Sequence, residues 1–312
     1  MATTKYIKNN TAKVYTSSDD NKVLLEALWG DGAQLVSNTE INGRYKVNIR
    51  WARNVYIKAE DLGDTPLLEL YFIDVGQGDG VLIVTPERKH ILIDGGYKRS
   101  KQPHGKSAAD FVDWKFKKEY KKNTIDLDAM ICSHCDADHY GGLWDLLSKE
   151  AYEKKELDTK KTNVESFYHA GVSWWKSAEK SRFIGKEENG ALHDLLTGKT
   201  SIKNGLRKNA DLKLQGEWAD FLKCIVDSDA KVKRLSYNPK RDFKYLKGFE
   251  EEKDTSIKVL GTIETTINGK ATLKDLGGYG TNTNGNSVLL RLDYGRSRIL
   301  LTGDLNKKSQ RH

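Results

Sequence analysis

Four side chains able to bind a divalent metal fall between positions 134 and 139: His134, Asp136, Asp138 and His139, in the run Ser133-His134-Cys135-Asp136-Ala137-Asp138-His139-Tyr140-Gly141-Gly142. Neutral imidazole and carboxylate are ordinary ligands of zinc and of harder divalent cations. The chemistry such a cluster offers is hydrolysis, because a bound ion polarises the bond under attack and lowers the pKa of its water. No serine or cysteine with a paired histidine stands out, so a covalent mechanism is not expected. Cys132 and Cys135 spell C-x-x-C, a redox or zinc cue, but they straddle His134 and no second pair exists. They are read as incidental.

The flanking residues must position this run. Ala129-Met130-Ile131-Cys132 is a short apolar stretch that predicts a buried strand. Leu143-Trp144-Asp145-Leu146-Leu147 predicts the start of an amphipathic helix reaching about Lys154. The four candidates are therefore expected on a loop at the carboxyl end of a strand, the usual place for chemistry in layered α/β proteins. Their alternation at 134, 136 and 138 suits an open loop better than a helix. Further along, Val164–Tyr168 predicts a strand ending at His169, followed by Trp174-Trp175, which could stack on a base or sugar or fill the core. Ser287–Leu292 and Arg298–Leu301 predict a hairpin, and Asp304 follows it, where it could also cap a helix. His193 has no motif around it.

The pattern His-x-Asp-x-Asp-His-x-Gly-Gly resembles the metal signature of the metallo-β-lactamase superfamily, whose usual form is His-x-His-x-Asp-His. Asp136 in place of the second histidine is similar to the branch of the hydrolase domain of the DNA-uptake channel protein ComEC. Three other stretches agree, from about Leu67 onward: Phe72-Ile73-Asp74-Val75-Gly76-Gln77-Gly78-Asp79-Gly80, Ile91-Leu92-Ile93-Asp94-Gly95-Gly96, and Asn286–Leu292 leading to Leu301-Thr302-Gly303-Asp304. The resemblance implies an αββα sandwich and two divalent ions, zinc or manganese. His134, Asp136 and His169 would hold one ion, Asp138 and His139 the other, with Asp304 between them. Asp138 would be catalytic, orienting a metal-bound hydroxide. Asp94 would orient a ligand histidine, and the oxygen donor Asp136 would tilt preference toward harder ions. The resembled hydrolases carry one more strand and a final histidine well beyond the bridging aspartate. His312 is only eight residues past Asp304, so the resemblance implies a chain lacking the C-terminal end of that fold.

Composition sets the wider bounds. The chain has 312 residues, 38% hydrophobic and 31% charged, with a formal net charge of +8. That excess favours anionic partners such as nucleic acid or phosphorylated ligands. No apolar run approaches the ~18 residues of a spanning helix, and the polar start Met1-Ala2-Thr3-Thr4-Lys5 has no signal-peptide pattern. Three cysteines do not make a disulfide framework, so a reducing cytoplasm is expected.

Residues 1–63 hold five short β-like runs: Lys13–Tyr15, Val23–Leu25, Ala33–Val36, Tyr45–Ile49 and Val55–Ile57, with the hairpin cue Asn42-Gly43. They predict a small barrel similar to a bacterial SH3-like domain. Its Trp29, Trp51 and Tyr56 would either bind a protein partner, peptide or glycan, or fill the small core. Gly63-Asp64-Thr65-Pro66 marks the boundary, and residues 64–312 form the hydrolase-like domain. In it the Gly76–Gly80 loop is read as a turn without a phosphate-binding role, because no Walker lysine follows. Residues 176–256, rich in lysine and irregular with helix-like pieces such as Trp218–Leu222, are expected to be a basic insertion near the cleft that sets substrate choice, with Lys231, Lys233, Arg234, Lys240, Arg241 and Lys244 among its cations. The fold class is thus α+β. The expected function is a metal-dependent phosphodiesterase or nuclease. The alternatives are another hydrolysis of the same superfamily, of a lactam, thioester or other phosphoester, or a non-catalytic partner-binding module.

Overall fold

The computed structural model describes residues 3–240, 242 and 244–311; Met1 and Ala2, Arg241 of the basic stretch, and His312 lie outside the described residues. The chain divides into two units, Met1–Glu69 with Thr85–Arg88, and Leu70–Val84 with Lys89–His312.

The first unit is all-β. Its strands are β1 (Thr4–Ile7), β2 (Thr11–Tyr15), β3 (Val23–Leu28), β4 (Gly32–Ile41), β5 (Arg44–Ile49), β6 (Ala52–Lys58) and β7 (Leu62–Gly63). The five sequence runs fall in β2 to β6. β1 and β7 are too short and too polar to carry a pattern of their own. Asn42 and Gly43 take φ of 51° and 74°, as a tight hairpin turn requires, and Ile41 pairs with Arg44 across it. Alternating side chains bury Ile7, Val14, Val47 and Ile57 in one apolar core. The order β3-β2-β6-β5-β4-β1-β7 leaves β3 and β7 as edges. No ladder joins those edges among the described residues, so a closed barrel does not form. β7, two residues long, pairs only with β1 among the described residues. Trp29 and Trp51 are exposed.

The second unit is α+β, mostly strands with few helices. Its larger sheet places β8 (Glu69–Phe72), β9 (Val81–Val84), β10 (His90–Ile93), β11 (Ile125–Cys132), β12 (Thr162–His169) and the strand Lys231–Arg234 side by side. From β10 to Lys231–Arg234 the neighbours run parallel. Strands covered on both faces read as unbroken apolar runs, and every residue of β9 and β10 is buried. A second sheet joins Lys244–Tyr245, Thr255–Gly261, Leu289–Tyr294 and Ser297–Leu301 in antiparallel order.

One expectation about elements changes. Helix α1 (Ala108–Trp114) precedes β11 and α2 (Ala137–Leu147) follows it, so Asp138 and His139 lie in the first turn of α2, not on an open loop. The extended residue Asp136 precedes it (φ −92°, ψ 149°) and sets where the helix starts. The helix-like piece Trp218–Leu222 of the stretch 176–256 belongs to a longer helix. The helix Gly216–Asp227 buries Trp218, Phe221, Leu222 and Ile225, spaced for one helical face, in the main core. Two of the cations named in that stretch are engaged elsewhere: Arg234 pairs with Glu264 at 2.5 Å and Lys231 with Glu165 at 3.5 Å. Trp174 and Trp175 are both buried. No helix among the described residues is long and apolar enough to cross a membrane.

Candidate metal centre

The site begins where β10 and β11 end together. Asp94 follows β10, is 1% exposed, and accepts the Ser133 backbone N–H at 2.7 Å. Its other oxygen lies 2.9 Å from Nδ1 of His139, itself fully buried. That bond fixes the imidazole so that Nε2 is left over, 3.5 Å from Oδ1 of Asp304. His134 is held in the same manner. Its Nδ1 lies 3.0 Å from Ser133 Oγ and 3.3 Å from Ser287 Oγ. Its Nε2 is 3.6 Å from Asp136 Oδ2 and 3.9 Å from Asp304 Oδ2. The two rings stand 3.9 Å apart, centre to centre.

Nε2 of His134 and Nε2 of His139 are both out of solvent contact, and neither has a hydrogen-bond partner among the described residues. A buried polar atom without a partner costs about 1–3 kcal/mol. His134, His139 and Asp304 each offer a donor atom within 4.8 Å of the others. Two orphaned imidazole nitrogens and a carboxylate are a donor set that fits a divalent ion such as zinc. Charge supports the fit. Burial and the neighbouring His139 push the His134 pKa down. Burial opposes a charge on His139 too, but the Asp94 and Asp304 carboxylates outweigh it and hold its pKa at about 11. The Asp304 carboxyl is held low, chiefly by its contact with His139. The cluster thus favours one positive charge between its rings and Asp304, the place an ion would take.

The other candidates lie around this trio. Asp136 accepts from Thr283 Oγ1 at 3.0 Å. Asp138 accepts from Gln77 Nε2 at 3.0 Å. His169 ends β12 beside Cys132 and is 1% exposed, with both ring nitrogens lacking a partner among the described residues. Burial and then Arg234 push its pKa down to about 3, which keeps the ring neutral. Asp136, Asp138 and His169 do not join the tight group. Cys132 and Cys135 are free, and burial pushes both thiols up, so they stay protonated.

Sequence reasoning missed Asp79. It shares a 4.8 Å donor group with Asp94 and His139, and burial followed by the Asp94 charge raises its pKa. The signal was the density of glycines in the Gly76–Gly80 loop. Gly78 takes φ of +88°, and a Cβ there would lie 1.8 Å from the Asp138 carbonyl oxygen, so the loop lies against the first turn of α2. Thr283 and Asn284 were missed too. Asn284 Nδ2 donates to Asp304 Oδ2 at 3.2 Å, and the polar run Thr281–Ser287 was their only mark.

A search of the curated proteins finds no match to this chain. Residues 73–211, which span β9 to β12 and the His134–His139 turn, match the model described as Metallo-beta-lactamase superfamily, a likeness that suggests a metal-dependent hydrolase.

Proposed function

We propose that the chain is a metal-dependent phosphodiesterase, acting as a nuclease, in the manner of the ComEC-type hydrolases it resembles. The observation that carries this reading is the pair of orphaned Nε2 atoms beside Asp304, with the carboxylate Asp136 at their edge. Oxygen-rich donor sets suit the harder ions used on phosphates, and the net charge of +8 suits an anionic substrate. His134, His139 and Asp304 would hold one divalent ion, zinc or manganese. Asp136, Asp138 and His169 complete the candidate ligands of a two-ion site. When bound, the ions supply Lewis acidity and a water of lowered pKa.

The chain's own residues do the rest. Asp94 keeps the His139 proton on Nδ1, and Ser133 and Ser287 restrain His134. Thr283 fixes Asp136. The Gln77 amide fixes one oxygen of Asp138, whose carboxylate orients the attacking water and accepts its proton at the start of in-line attack on phosphorus. For the first unit we propose a partner-binding role of the SH3-like kind through the exposed Trp29 and Trp51.

Hydrolysis of bis(4-nitrophenyl) phosphate, DNA and RNA with added manganese or zinc tests the reading, with a lactam and a thioester as competing substrates. Diester cleavage should vanish with chelator and with Asp138→Ala. Cleavage that survives both, or turnover of only the lactam or thioester, overturns it.

A further inference from the structure

A cavity of about 280 Å³ opens beside the metal turn, lined by Cys135, Asp136, Tyr140, Trp174, Arg182 and Gln215, among others. Two features of its lining have no internal purpose. The Arg182 guanidinium lies 3.8 Å over the Trp174 ring. It makes no ion pair and no hydrogen bond among the described residues, and its side chain is exposed. An arginine stacked on a rigid ring is pre-organised, and its fork of donors matches a phosphate. Trp174 is itself pinned, because its Nε1 donates to the Cys135 carbonyl at 3.0 Å and its ring meets Tyr279 edge-on. The cation is therefore held at a fixed place next to the turn that carries Asp136.

The second feature is Gln215. Its Oε1 is out of solvent contact and has no hydrogen-bond partner among the described residues. An unpaired acceptor of that kind is satisfied once the amide turns to meet an N–H or O–H donor in the cavity. The floor is aromatic: Tyr140 stacks on Phe221 at 5.5 Å and meets Trp218 at 5.2 Å. Of the carboxylates in the lining, Glu217 is paired with Lys101 and Asp136 accepts from Thr283, which leaves Arg182 as the open cation.

We infer that this cavity takes the nucleotide unit next to the scissile bond, with Arg182 pairing its phosphate and Gln215 accepting from its base or sugar. The inference rests on the phosphodiesterase reading and names the part of the substrate that reading leaves open. None of these contacts is implied by the metal motif, because Arg182 and Gln215 lie outside it.

Binding can be measured without turnover, by calorimetry on the full chain in chelator. The probes are deoxythymidine 3′,5′-bisphosphate, deoxythymidine, inorganic phosphate and succinate. The bisphosphate should bind most tightly, phosphate more weakly, and succinate least. Arg182→Ala should weaken the bisphosphate by about tenfold or more, as loss of a charge-assisted pair does. Gln215→Leu should weaken the bisphosphate while leaving inorganic phosphate unchanged. Lys180→Ala, a nearby exposed cation over Phe183, should change nothing and so controls for general charge. Bisphosphate affinity equal in wild type and Arg182→Ala, or tighter binding of succinate, overturns the inference. Retained Arg182-dependent nucleotide binding without diester hydrolysis would instead overturn the catalytic reading alone.

Discussion

The Asp94 carboxylate lies 2.9 Å from Nδ1 of His139, and the two side chains are 1% and 0% exposed. The same carboxylate takes the Ser133 N–H, so one buried charge fixes both the turn and the ring. Partners of this kind typically govern metal affinity by 10–100-fold. Asp94→Asn keeps the shape but removes the charge. Its divalent-metal affinity, read by competition with a chelating dye, should fall by roughly 10–100-fold. An affinity within twofold of wild type would show that His139 is not a ligand.

Gly78 shows how tightly the Gly76–Gly80 loop is held. Alanine there must adopt φ of +88° with its Cβ 1.8 Å from the Asp138 carbonyl oxygen, whereas Gly105, at φ +60°, has no atom within 4 Å of that position. Gly105→Ala should cost about 1 kcal/mol, the left-handed penalty alone. Gly78→Ala should cost clearly more and should weaken metal binding as well, since the loop must move off α2. Urea midpoints of the two variants measure the difference; equal costs would mean the loop yields freely.

Much of this was legible in the sequence because buried parallel strands advertise themselves. Val81–Val84, His90–Ile93 and Ala129–Cys132 are runs that can only be sheltered, and the turns at their ends hold Asp94 and His134. Asn42-Gly43 likewise named its own hairpin. What stayed hidden were contacts between distant segments. Nothing local in Thr283 or Asn284 says that they meet Asp136 and Asp304. The start of α2 was misjudged because ligand spacing was weighed above the free first-turn N–H groups that let a helix begin at Ala137. In the basic stretch the helix-like piece Trp218–Leu222 was legible, while the full extent of the helix Gly216–Asp227 was not.

Metal should also act on stability. An ion that binds the folded chain alone stabilises it by about 2.7 kcal/mol at a hundredfold excess over Kd. Here it would also satisfy two orphaned nitrogens. Calorimetric melting of the second unit should therefore move up on adding zinc or manganese and back down with chelator. Asp304→Ala should abolish most of that shift. A Tm indifferent to metal in the wild type would sink the candidate centre.

Asp145 offers a pH test well away from the ions. It is 4% exposed and accepts from the Arg99 N–H at 2.7 Å and Ser107 Oγ at 2.8 Å, yet burial outweighs those bonds and raises its pKa above the ordinary 3.8. The folded state then holds the proton more tightly than the unfolded one. Its contribution is full below pH 3.8 and is lost as pH rises through the folded value. Urea midpoints of wild type and Asp145→Asn, compared across that range, should shift in the variant's favour as pH rises. A constant difference, or the opposite slope, would contradict the burial argument.

Asp79 carries the last prediction. His139 belongs to two donor groups, one with His134 and Asp304 and one with Asp79 and Asp94. Asp94 holds the proton on Nδ1 of His139, so the ring offers only Nε2, and Asp79 is placed to add a carboxylate beside it. The Asp79 carboxylate is thus a candidate ligand on the Gly76–Gly80 loop. Without metal the same carboxylate is a burden, since it crowds Asp94, Asp138 and Asp304. Asp79→Asn should then act in opposite directions on the two forms. Metal analysis should drop from about two ions per chain toward about one, while the chelated protein should melt at a higher temperature than wild type. A purely structural aspartate would lower the melting point of both forms, and a bystander would move neither. Only a ligand held in place against repulsion gives the crossed result.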